Sequence, residues 1–255
     1  MTDHPILFSA PMVRALLEGR KTQTRRVLKP QPDAGQFFGH MTYVEAQRKV
    51  IARNATGMRQ DIKIPFAPGD RLWCREAWRA SRKWDSIAPR DIIPREVTVM
   101  FEAGGSIANQ DEKGDWRPSD LPAVGYFPPW AGKGRPSIFL PRWASRLTLT
   151  VTEVRVQRLQ DISTEDAIAE GIEGSEIDGW RCYLPEPKNQ DAWQCPRESF
   201  RTLWDSINAK RAGGAYAWAA NPWVTATSFH AAKINIDQMP ERIVHKHLNI
   251  RGSDQ

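Results

Sequence analysis

Residues 146 to 159 alternate in a way that few chains tolerate outside a sheet. Leu147, Leu149 and Val151 occupy one set of positions and Thr148, Thr150 and Thr152 the other, the period-two pattern of a strand rich in β-branched residues. Val154 and Val156 continue it after a one-residue phase shift. That shift resembles a β-bulge, a device that bends strands around small barrels. A strand of this length needs partners, and the chain offers several: 6–9, 71–77 behind the Pro68-Gly69-Asp70 turn, 97–102, and 223–229, entered through Asn221-Pro222.

Three helices punctuate these strands. The first runs from Ala10, with Pro11 at a position that needs no N–H, and carries Met12, Val13, Leu16 and Leu17 at helical spacing. Gly19 suits its left-handed stop. The second is capped by Ser163, has Glu165 and Asp166 in its positive first turn, and ends near Gly171. The third covers 196–208, with Phe200, Leu203, Trp204 and Ile207 on one face. Between these elements lie irregular stretches: 31–56, with a small hairpin expected around 41–51, then 104–133, and 174–194.

Composition narrows the class. The chain has 255 residues, enough for one enlarged domain or two small ones. Its formal net charge of +6 favours anionic partners, nucleic acid or nucleotides first. Three scattered cysteines, with no Cys-x-x-Cys pair, suit a reducing compartment. The five histidines show no metal-binding spacing, so no metal and no cofactor are expected. No apolar run approaches the roughly 20 residues of a membrane helix. The expectation is a soluble, cytoplasmic protein without a membrane partner.

Several residues invite a chemical reading. Directly after Gly19 the chain packs Arg20, Lys21, Thr22, Gln23, Thr24, Arg25 and Arg26 together. This is either a solvated basic turn or a segment holding reactive groups. A threonine hydroxyl becomes a nucleophile when a neighbouring base takes its proton, and a lysine serves if burial or nearby cations lower its pKa. In a flat strand Lys21 and Thr24 would point to opposite faces, so a joint site needs a turn or bulge there. Glu170 stands at the negative end of its helix, where a carboxylate is mildly disfavoured and therefore calls for a reason. Glu76 shares a strand face with Leu72 and Cys74, which implies either function or an ion pair with an arginine. Arg142, Trp143 and Arg146 have the composition of a surface that holds a base and its phosphate; the alternative is a Trp packed beneath two arginines. Trp73 and Trp78 are further stacking candidates among the eleven tryptophans, most of which are expected in cores.

The run Gly19-Arg20-Lys21-Thr22-Gln23-Thr24-Arg25-Arg26 resembles the Gly-x-Lys-x-x-x-x-Arg signature of ASCH domains, in the PUA-like superfamily. The blocks FSAPMVRALLEGRKTQTRRV, GDRLWCREAW and PRWASRLTLTVTEVRVQRLQDISTEDAIAEGI are similar to the longer, bacteriophage-type branch of that family. The resemblance covers about half the chain. It implies an α+β fold: a small curved β-barrel with flanking helices, one domain over 1–235 with insertions at about 31–67, 80–135 and 174–195, and a polar tail over 236–255. One branch of the family consists of metal-independent amidohydrolases that remove acyl groups from the exocyclic amine of N(4)-acylated cytidine. The resemblance carries their catalytic residues onto Lys21, Thr24 and Glu170, with Glu76 as reserve carboxylate. Arg26, Glu76, Trp73, Arg142 and Trp143 are the expected substrate contacts. Other ASCH proteins bind RNA or cleave it, so a modified cytidine nucleoside or RNA is the expected partner. An accessory or assembly role is a third reading.

Overall fold

A computed structural model describes residues 1–32, 40–53, 59–93, 96–110, 116–120, 122–184, 192–193 and 195–240. Its strands are β1 (Asp3–Leu7), β2 (Gln23–Val27), β3 (His40–Val44), β4 (Lys49–Arg53), β5 (Arg59–Lys63), β6 (Arg71–Arg75), β7 (Trp78–Arg79) and β8 (Val99–Phe101). They continue with β9 (Ser106–Gln110), β10 (Trp116–Ser119), β11 (Thr148–Arg158), β12 (Gly174–Ser175), β13 (Gly179–Arg181), β14 (Ala192–Trp193) and β15 (Trp223–Ala232). The helices are α1 (Ala10–Leu17), α2 (Thr164–Ala169) and α3 (Pro196–Asn208). This is an α+β chain rich in strands. By packing it forms two compact units, each assembled from separated stretches of sequence.

The first unit comprises residues 1–18, 69–150 and 230 onward. Here β1 runs parallel to β6, from Asp3 opposite Arg71 to Leu7 opposite Arg75, and the start of β11 pairs antiparallel to β6. Thr148 and Thr150 are as buried as Leu149. The polar half of the alternation therefore faces protein, and the Thr148 hydroxyl donates to the Ile234 carbonyl at 2.9 Å. A second sheet, in the order β10-β9-β8-β7, draws β9 and β10 from the stretch expected to be an irregular excursion. Its apolar side packs Trp78, Val99, Phe101, Ile107 and Leu140 into one cluster. The strand expected over 97–102 is found as β8.

The second unit comprises residues 19–68 and 151–229. In it β15 pairs antiparallel to β2, with Thr227 opposite Thr24 and Ala226 opposite Arg25. The hairpin expected around 41–51 is present and gains a third strand, giving the antiparallel order β3-β4-β5. Helix α3 buries Phe200, Leu203 and Trp204 as expected, while Ile207 is 54% exposed and lies off that face. In neither unit do the described sheets close into a barrel: each strand order has two open ends. Among the described residues no helix is long and apolar enough to cross a membrane. Residues 241–255 of the expected tail lie outside the described residues.

Candidate functional site

The second unit brings together side chains that the sequence keeps far apart. Gly19 adopts a φ of +76°, a conformation glycine reaches without a Cβ clash, and the chain turns there into the basic run. Lys21 then forms an isolated antiparallel bridge with Glu170, and the Thr22 N–H donates to the Ala169 carbonyl at 2.9 Å. On the other side of this contact, the Ser163 hydroxyl accepts from the Asp166 N–H and caps α2, as the sequence indicates. Helix α2 closes with Glu170 as its C-terminal cap. Main-chain bonding thus places the start of β2 against the end of α2 before any side-chain chemistry is considered.

The unfavourable position of Glu170 now has its reason. The Lys21 ammonium donates to Glu170 Oε2 at 2.9 Å and to the Glu170 carbonyl at 2.8 Å. Arg25 Nη1 donates to the other carboxylate oxygen, Oε1, at 3.0 Å. Two buried cations on one carboxylate outweigh a helix-dipole penalty of roughly 0.3–1 kcal/mol. Arg25 also reaches Asp166 Oδ2 at 2.6 Å and Gln23 Oε1, and Arg155 Nη2 bonds both Asp166 oxygens. Gln23 completes the group with bonds to Asp166 and Ser228, each at 3.1 Å. Arg25 Nε is buried and has no hydrogen-bond partner among the described residues.

Burial dominates the electrostatics. Lys21 is 2% exposed and Glu170 4%. Removal from water pulls the Lys21 ammonium below its ordinary value; Glu170 opposes this, while the charges of Arg26 and Arg25 push it further down. Asp166 is raised by burial, but the charges of Arg25 and Arg155 and the Gln23 hydrogen bond prevail and hold it below the usual carboxylate range. The arrangement is a buried lysine ammonium hydrogen-bonded to a buried carboxylate, braced by a second carboxylate through Arg25.

Thr24 stands apart from that pair. Gln23 and Arg25 both reach the α2 carboxylates, so strand alternation puts Thr24 on the opposite face of β2, beside Thr227 of β15. Its hydroxyl makes no hydrogen bond among the described residues, and the residue is 4% exposed. Arg26 is exposed.

The remaining expected contacts belong to the first unit and are engaged there. Glu76 is 1% exposed and takes two 2.8 Å bonds from Arg146, the ion pair foreseen as the alternative to a catalytic role. Burial pushes its carboxyl up, against the lowering effect of Arg146. Trp73 is buried, with the Arg75 guanidinium 4.4 Å from its ring centroid. Trp78 is fully buried, with Arg135 5.1 Å from its ring. Arg142 bonds Asp3 and Asp237, and Trp143 packs against the Trp78–Phe101 cluster. Sequence reasoning missed Asp166, Gln23 and Arg155 as part of the site. Asp166 read as a dipole-favoured residue in a helix first turn, and that role hid the second.

Among the described residues no group of three or more His, Cys, Asp or Glu side chains is placed to hold a metal ion. No family model matches the chain, and neither the curated proteins nor the solved structures contain a significant match.

Proposed function

We propose that this chain is an ASCH-type amidohydrolase acting on the exocyclic amide of N(4)-acylated cytidine or a related nucleoside, working in the cytoplasm without metal. The observation that supports this most is the buried 2.9 Å contact between Lys21 Nζ and Glu170 Oε2. Moving one proton along that contact converts ammonium and carboxylate into amine and carboxylic acid. Base and acid are then generated together. Thr24 lies on the other face of β2, so the amine takes its hydroxyl proton only after local opening turns Oγ1 toward Lys21, and Oγ1 then attacks the acyl carbonyl. Glu170 gives its proton to the departing cytosine nitrogen as the C–N bond breaks. Water then releases the acyl group from Thr24 and regenerates the hydroxyl. Arg26 orients the substrate or bears the developing oxyanion. Because Lys21, Thr24 and Glu170 are each under 5% exposed, productive binding requires the segment after Gly19 to open locally.

The test is direct. Purified protein is incubated with N(4)-acetylcytidine and no added metal, and cytidine release is followed by absorbance. Turnover is expected, with Lys21→Ala and Thr24→Ala each losing about a hundredfold or more. Absence of turnover, or turnover untouched by both substitutions, rejects the reading.

The same burial favours a second reading, in which the Lys21–Glu170–Arg25–Asp166 group is a structural lock and the basic segment binds RNA without chemistry. That protein would bind RNA with steep salt dependence, lose affinity in Arg26→Ala and be indifferent to Thr24→Ala. A ribonuclease would instead shorten the RNA on a gel.

A further inference from the structure

The first unit contains a cleft of about 640 Å³ lined in part by Ala103, Gly105, Asp120, Val124, Arg146 and Lys233. Arg146 is held rigidly in its wall. Its Nε and Nη2 are spent on buried Glu76, and its guanidinium carbon lies 4.0 Å from the Phe101 ring centroid. Its Nη1 makes no hydrogen bond among the described residues and is not sealed from solvent. A Cβ on residue 105 would come within 2.7 Å of Nη1, so the glycine leaves open the space beside that nitrogen. Lys233, exposed and without a hydrogen bond or ion pair among the described residues, lines the same cleft. Arg146 and Lys233 also border a smaller cavity of about 100 Å³ that includes Trp143.

We propose that this cleft binds a small organic oxyanion, a carboxylate or a phosphate monoester, with its charged group against Arg146 Nη1 and Lys233 and its apolar body along Ala103 and Val124. A guanidinium pre-positioned by a buried carboxylate loses little freedom when it takes a ligand, and its hydrogen bonds to an oxyanion are charge-assisted. Glu76 offsets the charge of Arg146, so Lys233 supplies the unbalanced attraction. Asp120, the carboxylate among the described lining residues, would receive a hydroxyl or amino group at the ligand's far end. The site is independent of the Lys21–Glu170 reading, since it uses none of those residues.

The full-length protein would be titrated calorimetrically with benzoate, phenyl phosphate, benzamide and inorganic phosphate. Saturable binding of benzoate or phenyl phosphate is expected, and the tighter of the two identifies the oxyanion. Lys233→Gln should weaken it about fivefold or more, and Val124→Trp, which fills the cleft from an exposed position, should abolish it. Both variants should melt at the wild-type temperature, and the amide resonances of Gly104 and Gly105 should move on titration. Four results would overturn the proposal: no saturable binding of either aromatic anion, equal binding of benzamide, inorganic phosphate binding as tightly as phenyl phosphate, or binding unchanged in both variants.

Discussion

Lys21 holds Glu170 twice: its ammonium donates to the carboxylate at 2.9 Å and to the main-chain carbonyl of the same residue at 2.8 Å, across 149 residues of sequence. A carbonyl at a helix C-terminus lacks an intrahelical partner and carries partial negative charge, so one cation satisfies two acceptors at once. The geometry fixes the carboxylate relative to the lysine far better than a single ion pair would.

Removing the carboxylate should therefore cost more than removing one of its donors. Glu170→Ala takes the carboxylate away from buried Lys21 and leaves Arg25 to Asp166, and should destabilise the protein by about 3–5 kcal/mol. Glu170→Gln, which keeps an acceptor oxygen, should cost visibly less. Urea unfolding monitored by tryptophan fluorescence measures both; equal losses would show that the charge contributes nothing beyond shape.

Acid should unlock the same network. Asp166 is held below its ordinary value of 3.8, so the unfolded chain binds its proton more readily than the folded one. Its contribution to stability is complete above that ordinary value and disappears as the pH falls through the lowered one. Asp3, raised by burial but lowered further by Arg71 and Arg142, adds to the same trend in the first unit. Stability measured against pH should fall on the acid side of pH 3.8, and Asp166→Asn should flatten that slope.

The rate should carry the signature of Lys21. The proposed exchange needs one proton shared between Lys21 and Glu170, and above the lysine's depressed pKa that proton is lost, so the falling limb of the profile should lie below the ordinary lysine value of 10.5. The charge of Arg26 helps to depress that pKa. Arg26→Gln should therefore shift the limb to higher pH, apart from any change in KM. A limb that stays in place would remove Arg26 from the electrostatics of the base.

Gly105 tests the packing around Arg146. It has a φ of +77°, and a Cβ there would approach Arg146 Nη1 to 2.7 Å and the Ser119 carbonyl oxygen to 2.9 Å. Gly105→Ala should destabilise by about 1–3 kcal/mol through backbone strain and displacement of the arginine. By contrast, Gly19→Ala meets no neighbouring atom within 4 Å and pays only for its φ of +76°. Thermal melts of the two variants should separate the effects, with Gly105→Ala the lower.

What the sequence by itself determined is local. Ser163 before two acidic residues caps α2, Pro11 opens α1, and alternation marks β11, because caps, turns and periodicity act over a few residues. The pairing of Lys21 with Glu170 was readable only through resemblance, and Asp166 within the site was not readable at all. The tertiary structure alone decided which ionic partner each charge takes: Arg146 for Glu76, Asp3 and Asp237 for Arg142, and Arg25 between Glu170 and Asp166. A buried charge must find an opposite charge somewhere, but composition offers 36 cations and 30 anions without saying which ones meet. Only the closure of long loops makes that choice. The same closure put Thr24 on the face of β2 away from its expected partners, because period-two alternation in a paired strand overrides proximity along the chain.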